Sequence, residues 1–382
     1  MTRPGTAGRL ARALRDGDES GADTLVREAL AEGTLVPSHT HGTLYIPNTT
    51  PRQPRDDRGG ASKRTQGGAS NRIRDGHAEP LRDGHLHGAD TPLCVKRHQL
   101  PPCQLALLRQ AFARLREDGY GEYVPHWATD TFIVSLYLEN TVDLTSLLTP
   151  AAPKDAATVR RTCARSLQRF HTRQREIRTR LEAGRPPGLP AFSMTQRWQW
   201  ARGQYRKITG EDPWGAIGDR IARPPVRSKD MLFFDPKPAN YLIPAPPVRA
   251  REPRTPETAH RIDLDLLVLI APVALQVAIA LFSHPVPIAR YADTAGGFRE
   301  QRRLAHQLAA SLGVEDTETD DAICYHLTRN WVSAMRDGNR AKSAGLLPWL
   351  EECLRQIVGV DTPDTVRSLT STTAPGTHGG PA

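Results

Sequence analysis

The spacing of apolar residues predicts strands near the start of the chain and helices towards its end. Residues 9–32 place leucine and valine at helical intervals among charged residues, which predicts one amphipathic helix. Gly33 to Pro47 contains short β-rich runs broken by turn residues, which predicts a hairpin. Helical periodicity dominates late in the chain, at 271–282, 296–311, 318–336 and 343–358.

Apolar runs between residues 92 and 182 predict further elements of both kinds. Leu93 to Lys96 is typical of a strand end, and Thr131 to Leu138 is typical of a buried strand. Cys103 to Arg116 has helical spacing, and an arginine-rich helix is expected at 156–181. Between the buried strand and that long helix, a short helix is expected to end near Leu148.

Two segments lack apolar periodicity. Residues 48–91 are rich in Arg, Asp, Gly, Ser and His, which predicts a flexible insert. Residues 362–382 form a Ser, Thr, Gly and Pro tail that is expected to be disordered. The ordered structure is therefore expected on either side of the insert and before the tail.

Composition narrows the class of protein. The 382 residues carry a formal charge of +9, but no arginine stripe interleaves with aromatics, so no nucleic-acid partner is expected. Five cysteines without CxxC spacing do not indicate a disulfide framework. Together with an N-terminus that lacks the apolar core of a signal peptide, they favour a cytoplasmic protein.

Leu264 to Phe282 is apolar, but Pro272 and Gln276 within it favour a strand end and a core helix over a membrane span.

Residues 231–243, MLFFDPKPANYLI, hold polar side chains between two apolar runs. Asp235 follows the first run directly, and Asn240 directly precedes the second, Tyr241 to Ile243. Asp263 and Asp265 lie later, inside another apolar segment. Carboxylates in apolar surroundings need a compensating cation, and oxygen ligands of this kind suit Mg²⁺. The pattern favours phosphoryl transfer, in which one carboxylate orients the attacking hydroxyl and others hold the metal.

This arrangement resembles the catalytic loop of aminoglycoside phosphotransferases and choline kinase-like enzymes. In that family the loop usually reads H-G-D-x-x-x-x-N before a hydrophobic residue, and a metal-binding I-D-x-(E/D) follows. This chain has FFDPKPAN ending at Asn240, and later IDLD ending at Asp265. The resemblance implies that Asp235 is the catalytic base and that Asn240 and Asp263 bind Mg²⁺. It makes Asp265 a candidate for a second metal or for supporting the first.

The same resemblance implies a two-lobed, protein-kinase-like α+β fold, with a small β-rich N-terminal lobe and a larger, mostly helical C-terminal lobe. Residues 1–139 would then bind nucleotide, and residues 140–361 would carry the catalytic loop. Lys96 matches the lysine that pairs with the ATP phosphates, while Tyr137 and Glu139 fall at the expected adenine-binding hinge. The implied cofactors are ATP and Mg²⁺. The implied reaction moves the γ-phosphate to a hydroxyl of an antibiotic, a sugar, a nucleoside or an amino alcohol.

Departures from the family pattern keep other interpretations open. Phe233 and Phe234 replace the His-Gly before the aspartate, and Gln110 stands where a glutamate usually pairs with the lysine. Glu117 is acidic but lies about two turns further along, and no Gly-rich phosphate loop is recognisable. The alternative is a catalytically degenerate kinase-fold protein that binds a ligand or a partner. A third reading is a basic interaction protein in which the D-x4-N spacing is accidental.

Aromatic residues between the hinge and the catalytic loop have two interpretations. Trp198, Trp200 and Tyr205 fall where related enzymes build an acceptor pocket. Aromatics at this spacing are also typical of a helix packed in a core. Their surroundings in the fold decide between the two.

Overall fold

A computed structural model of the chain separates into two compact units. The first unit comprises Met1–Pro101 and Arg109–Glu139, and the second comprises Pro102–Leu108 and Asn140–Ala382. The residues that the structure describes are 6–32, 36–37, 44–46, 93–117, 124, 126–136, 138, 141–147, 159–172, 192–223, 229–232, 236–244, 259–261, 269–283 and 294–362. The predicted insert and tail, except Thr362 of the tail, lie outside them.

The first unit begins with two helices, where the apolar pattern predicts a single one. Helix α1 spans Thr6–Arg15 and helix α2 spans Glu19–Ala31. Gly17 between them has φ of 72°, a left-handed conformation that glycine adopts without steric cost. Asp18 then caps α2, because its carboxylate accepts the Gly21 N–H at 2.8 Å. The prediction of one helix was wrong because amphipathic spacing continues across this break.

A five-stranded antiparallel sheet forms the rest of the first unit, with helix α3 after its central strand. The strands follow the order β1-β2-β3-β5-β4. Their bounds are Val36–Pro37 for β1, Leu44–Ile46 for β2, Leu93–Arg97 for β3, His126–Ala128 for β4 and Phe132–Leu136 for β5; α3 is Pro102–Glu117. The predicted hairpin, both predicted strands and the helix are present. Strand β4 was not predicted, because three residues are too few to show alternation.

Asp23 fastens α2 to the turn that joins β4 and β5. Its carboxylate accepts the Thr129 hydroxyl at 2.6 Å, the Thr131 N–H at 3.1 Å and the Arg27 Nε–H at 2.9 Å. Burial alone would raise the pKa of Asp23. These hydrogen bonds and the charge of Arg27 lower the pKa by a larger amount, so the net shift is downward. The native state therefore stabilises the ionised form of Asp23.

The described part of the second unit contains five short strands, in two small sheets. Their bounds are Thr141–Asp143 for β6, Lys229–Leu232 for β7, Tyr241–Pro244 for β8, His260–Arg261 for β9 and Leu269–Pro272 for β10. Strand β8 pairs with β6 on one side and β9 on the other, and β7 pairs with β10. Every pairing is antiparallel.

Helices make up most of the second unit. They are α4 at 159–172, α5 at Met194–Thr209, α6 at Gly215–Ala222, α7 at Val273–Phe282, α8 at Thr294–Ser311, α9 at Asp316–Arg336 and α10 at Arg340–Cys353, followed by a π-helical turn at Leu354–Val358. All ten residues of α7 are buried, which confirms the predicted core helix. Among the described residues, no helix is both long enough and apolar enough to span a membrane.

The aromatic residues of α5 belong to the core of this unit. Trp198 and Tyr205 are fully buried, and both rings pack edge-on against Trp214. The Trp198 indole N–H donates to the Gly218 carbonyl at 2.8 Å. Trp200 is partly buried, and the Arg336 guanidinium lies 5.4 Å from its ring centroid. Trp198 and Tyr205 are therefore core residues, and the acceptor-pocket interpretation does not apply to them.

The predicted fold class is confirmed. Among the described residues, the first unit carries an antiparallel sheet with α1, α2 and the C-terminal part of α3, and the second unit is mostly helical with small sheets. This is an α+β architecture with a β-rich N-terminal part and a larger helical C-terminal part.

We expect Asp23→Asn to lower the free energy of unfolding by about 1–3 kcal/mol at pH 7, because it removes charge-assisted hydrogen bonds. The folded-state pKa of Asp23 is depressed, so its contribution is present above the unfolded value of about 3.9 and is lost as pH falls through the folded pKa. Urea unfolding at pH 7 and near pH 3 should show the two proteins converging in acid.

Glu117→Gln is the matched control, since Glu117 is exposed and pairs only at the surface with Arg114. Its effect should stay within about 0.5 kcal/mol. An equal loss in both variants, or a constant difference between wild type and Asp23→Asn at the two pH values, contradicts the role given to Asp23.

Candidate functional site

Two chain connections cross between the same two ladders of the second unit. Strand β7 leads through residues 233–240 to β8, and β9 leads through residues 262–268 to β10. Leu232 at the end of β7 is the register partner of Leu269 at the start of β10. Tyr241 at the start of β8 is likewise the partner of Arg261 at the end of β9. Both connections therefore link the same end of the β7–β10 ladder to the same end of the β8–β9 ladder. They run in opposite chain directions.

The predicted acidic residues belong to these two connections. Asp235 is in the first, and Asp263 and Asp265 are in the second. All three lie outside the described residues, so their roles stay predictions. Asn240, which ends the first connection, is described and only 5% exposed.

A short turn fixes the backbone of Asn240. Residues Pro238–Asn240 form one turn of 3₁₀ helix, preceded by Lys237 in an extended conformation with φ of −70° and ψ of 154°. A residue before proline avoids the helical region, which explains why the turn begins only after Lys237. The Asn240 N–H donates to the Lys237 carbonyl at 2.8 Å, and the Tyr241 N–H donates to the Pro238 carbonyl. The Lys-Pro sequence thereby sets the position at which Asn240 enters β8.

A small apolar cluster holds β8 in place. Tyr241 and Ile243 are 0% and 1% exposed and point to one side of the strand. They pack with residues from the β6 end, from α4 and from the residue before β9, namely Leu144, Val159, Cys163 and Ala259. Burial raises the pKa of the Cys163 thiol far above its usual value, so this cysteine is a packing residue rather than a nucleophile.

The sequence pattern did not predict strand β6 or the role of Asp143 at its end. Asp143 accepts the Thr145 N–H at 2.8 Å and also the Thr145 hydroxyl, so it caps the 3₁₀ turn Leu144–Leu147. That turn contacts the turn Pro238–Asn240. The Asp-x-Thr sequence is a recognisable signal of an Asx-type turn. Asp143 thus supports the turn that carries Asn240.

Lys96 lies in the first unit, on the central strand of the five-stranded sheet. It pairs in register with Ile133 of β5, and it alternates with the buried Val95. Its side chain is half-buried on the face opposite Val95. Strand β5 ends at Leu136, just before Tyr137. Tyr137 and Glu139 lie outside the described residues, and their nucleotide-binding role stays a prediction.

Helix α3 carries a single acidic residue, Glu117, at its C-terminal end. Gln110 is exposed, and the Glu117 carboxylate accepts from Arg114 at 2.6 Å. The described part of the chain also contains no group of three His, Cys, Asp or Glu side chains able to hold a metal.

No family model matches the sequence, and no curated protein matches it. Several solved structures are similar. An aminoglycoside phosphotransferase from Alicyclobacillus acidocaldarius is 15% identical with a TM-score of 0.36, covering 74% of this chain and 88% of that one. A glucosamine kinase is 15% identical with a TM-score of 0.40, covering 71% and 73%. An ethanolamine kinase from Plasmodium vivax is 10% identical with a TM-score of 0.37, covering 71% and 77%. Values this low establish no activity for this chain.

We expect Ile243→Ala to destabilise the protein by about 2–5 kcal/mol, because it opens a cavity behind β8. Leu242→Ala is the control, since Leu242 is half-buried on the other side of the same strand. The decrease in the free energy of unfolding should be clearly smaller for Leu242→Ala than for Ile243→Ala. Urea denaturation of the three proteins measures the difference, and equal losses would show that the cluster does not hold β8.

Proposed function

We propose that this protein transfers the γ-phosphate of a nucleoside triphosphate to a hydroxyl group of a small molecule. The observation that carries the proposal is the pairing of β7 with β10 and of β8 with β9. It makes the connection with Asp235 and Asn240 and the connection with Asp263 and Asp265 share the same ladder ends. In kinase-type phosphoryl transfer, carboxylate and amide oxygens converge to hold the Mg²⁺ that neutralises the phosphates, and a carboxylate orients the acceptor hydroxyl.

The register of β8 with β9 limits how far apart in space the two proposed metal ligands can lie. Asn240 directly precedes Tyr241, whose partner across the ladder is Arg261. Asp263 is two residues beyond Arg261, and two residues of extended chain span at most about 7 Å. Paired residues in an antiparallel ladder have Cα atoms about 4.5–5.5 Å apart. Covalent reach therefore permits Asn240 and Asp263 to bind one ion.

The donor set of this site fits Mg²⁺ rather than a softer metal. Amide and carboxylate oxygens are the hard ligands that Mg²⁺ prefers, and Asn240 is held in a buried turn. Asn240 and Asp263 would hold the ion, with Asp265 as a further ligand. When bound, Mg²⁺ would neutralise charge on the phosphates.

The remaining roles follow from side-chain chemistry. Asp235 accepts the proton of the acceptor hydroxyl and orients that oxygen towards the phosphate. Lys96 neutralises the α- and β-phosphates from the sheet of the first unit, and Tyr137 and Glu139 contact the base. The acceptor is a sugar, an antibiotic, a nucleoside or an amino alcohol.

A catalytically degenerate binding protein is the second candidate. It is favoured by the sequence, in which Phe233 and Phe234 replace the usual His-Gly and Gln110 replaces the usual glutamate. Such a protein would bind nucleotide or another ligand and transfer no phosphate. A panel of hydroxyl acceptors tested with ATP and with GTP separates the candidates, because only the transferase consumes triphosphate in proportion to acceptor.

We expect Asp235→Ala to reduce phosphoryl transfer to the most active acceptor by at least about 10²-fold, because it removes the general base. Affinity for ATP and Mg²⁺ should change by less than about threefold. Coupled ADP release and calorimetry measure the two quantities. Wild-type turnover in this variant would remove Asp235 from the mechanism.

We expect ATP binding to depend on Mg²⁺ and to weaken at least about tenfold in Asp263→Ala, because one metal ligand is lost. Isothermal titration with and without Mg²⁺ measures the affinities. Asp337→Ala is the control, since Asp337 is an exposed carboxylate at the end of α9. No nucleotide binding by the wild type, or equal weakening in both variants, would overturn the metal site.

A further inference from the structure

Two cysteine side chains meet in the core of the second unit, away from the proposed phosphate site. Cys324 is on α9, and Cys353 is the last residue of α10. Both are fully buried, and the Cys353 thiol donates to the Cys324 sulfur at an Sγ–Sγ distance of 3.4 Å. The two residues are 29 positions apart in the sequence. Two thiols this close can be oxidised to a disulfide with each other, which a single buried cysteine cannot do.

Helix α10 ends at this contact in an unusual way. The chain continues from Cys353 into the π-helical turn Leu354–Val358, which closes at Gly359 with φ of 81°. Single π turns are rare and are frequently found at functional sites. The turn is tied back to α8, because the Arg302 guanidinium donates to the Gln356 carbonyl at 3.2 Å. The backbone therefore departs from regular α-helix directly after Cys353.

A layer of ion pairs lies one helical turn before Cys324. Asp320 accepts from Arg302 of α8 at 2.8 Å and contacts the His306 imidazole at 2.9 Å. Asp321 accepts from Arg220 of α6 at 2.8 Å. The thiol pair therefore sits where α6, α8, α9 and α10 are joined.

We propose that Cys324 and Cys353 are an oxidation site, at which a low-molecular-weight disulfide converts the thiol pair into a reversible cross-link between α9 and α10. The inference does not rest on the proposed phosphoryl transfer. None of the five cysteines is in a disulfide in this structure, and the sulfurs of Cys324 and Cys353 are already in hydrogen-bond contact.

The exchange balances in two steps. One cysteine thiolate attacks a sulfur of the small disulfide, forms a mixed disulfide and expels one small thiolate. The other cysteine loses its proton to water, attacks the protein sulfur of the mixed disulfide and expels the second small thiolate. The protein gives up two electrons and two protons, and the reagent is reduced to two thiols. An S–S bond of about 2.05 Å requires the two sulfurs to approach further than their present 3.4 Å.

Burial controls the rate of this reaction. Desolvation raises the pKa of the Cys324 thiol, so few thiolates form in the closed state. Reaction then requires local opening at the end of α10, and mild urea should accelerate it. The product is a covalent bond between α9 and α10. Because this bond lowers the conformational entropy of the unfolded chain, it should raise the thermal midpoint of unfolding.

The test uses the full chain with Cys94→Ser and Cys103→Ser, which removes the half-buried and the exposed thiol. This protein is treated with 4,4′-dithiodipyridine with and without mild urea, then alkylated in denaturant and analysed by intact mass and non-reducing peptide mapping. The expected result is a mass lower by about 2 Da before alkylation, two unalkylated cysteines and a cross-linked peptide pair containing Cys324 and Cys353. Dithiothreitol should reverse it, and Tm should rise by about 5 °C or more in the oxidised form.

Two further variants in that background keep the test decisive. Cys163→Ser removes the other buried thiol and should leave the cross-link intact. Cys353→Ala leaves Cys324 without its partner and should give no internal cross-link. A cross-link that contains Cys163, no cross-link at any urea concentration, or an oxidised form with an unchanged or lower Tm would overturn the proposal.

Discussion

Antiparallel pairing of β7 with β10 and of β8 with β9 is the constraint on which the candidate site depends. Four short strands, far apart in sequence, are joined by backbone hydrogen bonds. A shift of one residue in either ladder would turn every side chain to the opposite face. The buried Tyr241 and Ile243 resist such a shift in β8, because slipping would expose them. The position of Asn240 therefore depends on packing behind the strand as well as on the turn that precedes it.

Long apolar runs made much of this fold predictable from sequence. Strand β5 and helix α7 are apolar runs that each contain a single polar residue. Runs of this kind are typical of buried elements, and they identified both. Strands β4 and β6 were missed because three residues each carry too little pattern, and they exist through pairing with β5 and β8. Local propensity cannot predict an element that only a distant partner stabilises.

Candidate chemistry was predictable for a different reason. Asp235 and Asn240 stood out because polar residues interrupt apolar runs, and that signal needs no tertiary information. Asp143 carried no such contrast, since its role comes from the contact between two 3₁₀ turns. The break at Gly17 was hidden in the same way, because helical spacing of apolar residues continues on both sides of it. Periodicity reports which face is buried and is silent about where the backbone turns.

Electrostatics inside the second unit differs from that at the edge of the first. Burial raises the pKa of Asp321, and the guanidinium of Arg220 lowers it only in part. Ionising Asp321 in this core is therefore costly, and its value lies in fixing how α6 meets α9. Asp23 receives several hydrogen bonds near the surface, and its pKa moves downward instead. Asp320 and Asp321, two buried aspartates of α9, are each paired with a guanidinium from another helix, so these ion pairs help to fix the positions of α6, α8 and α9. The thiol pair lies one turn beyond them, so a bond formed there would tie α10 to the helix that these ion pairs hold.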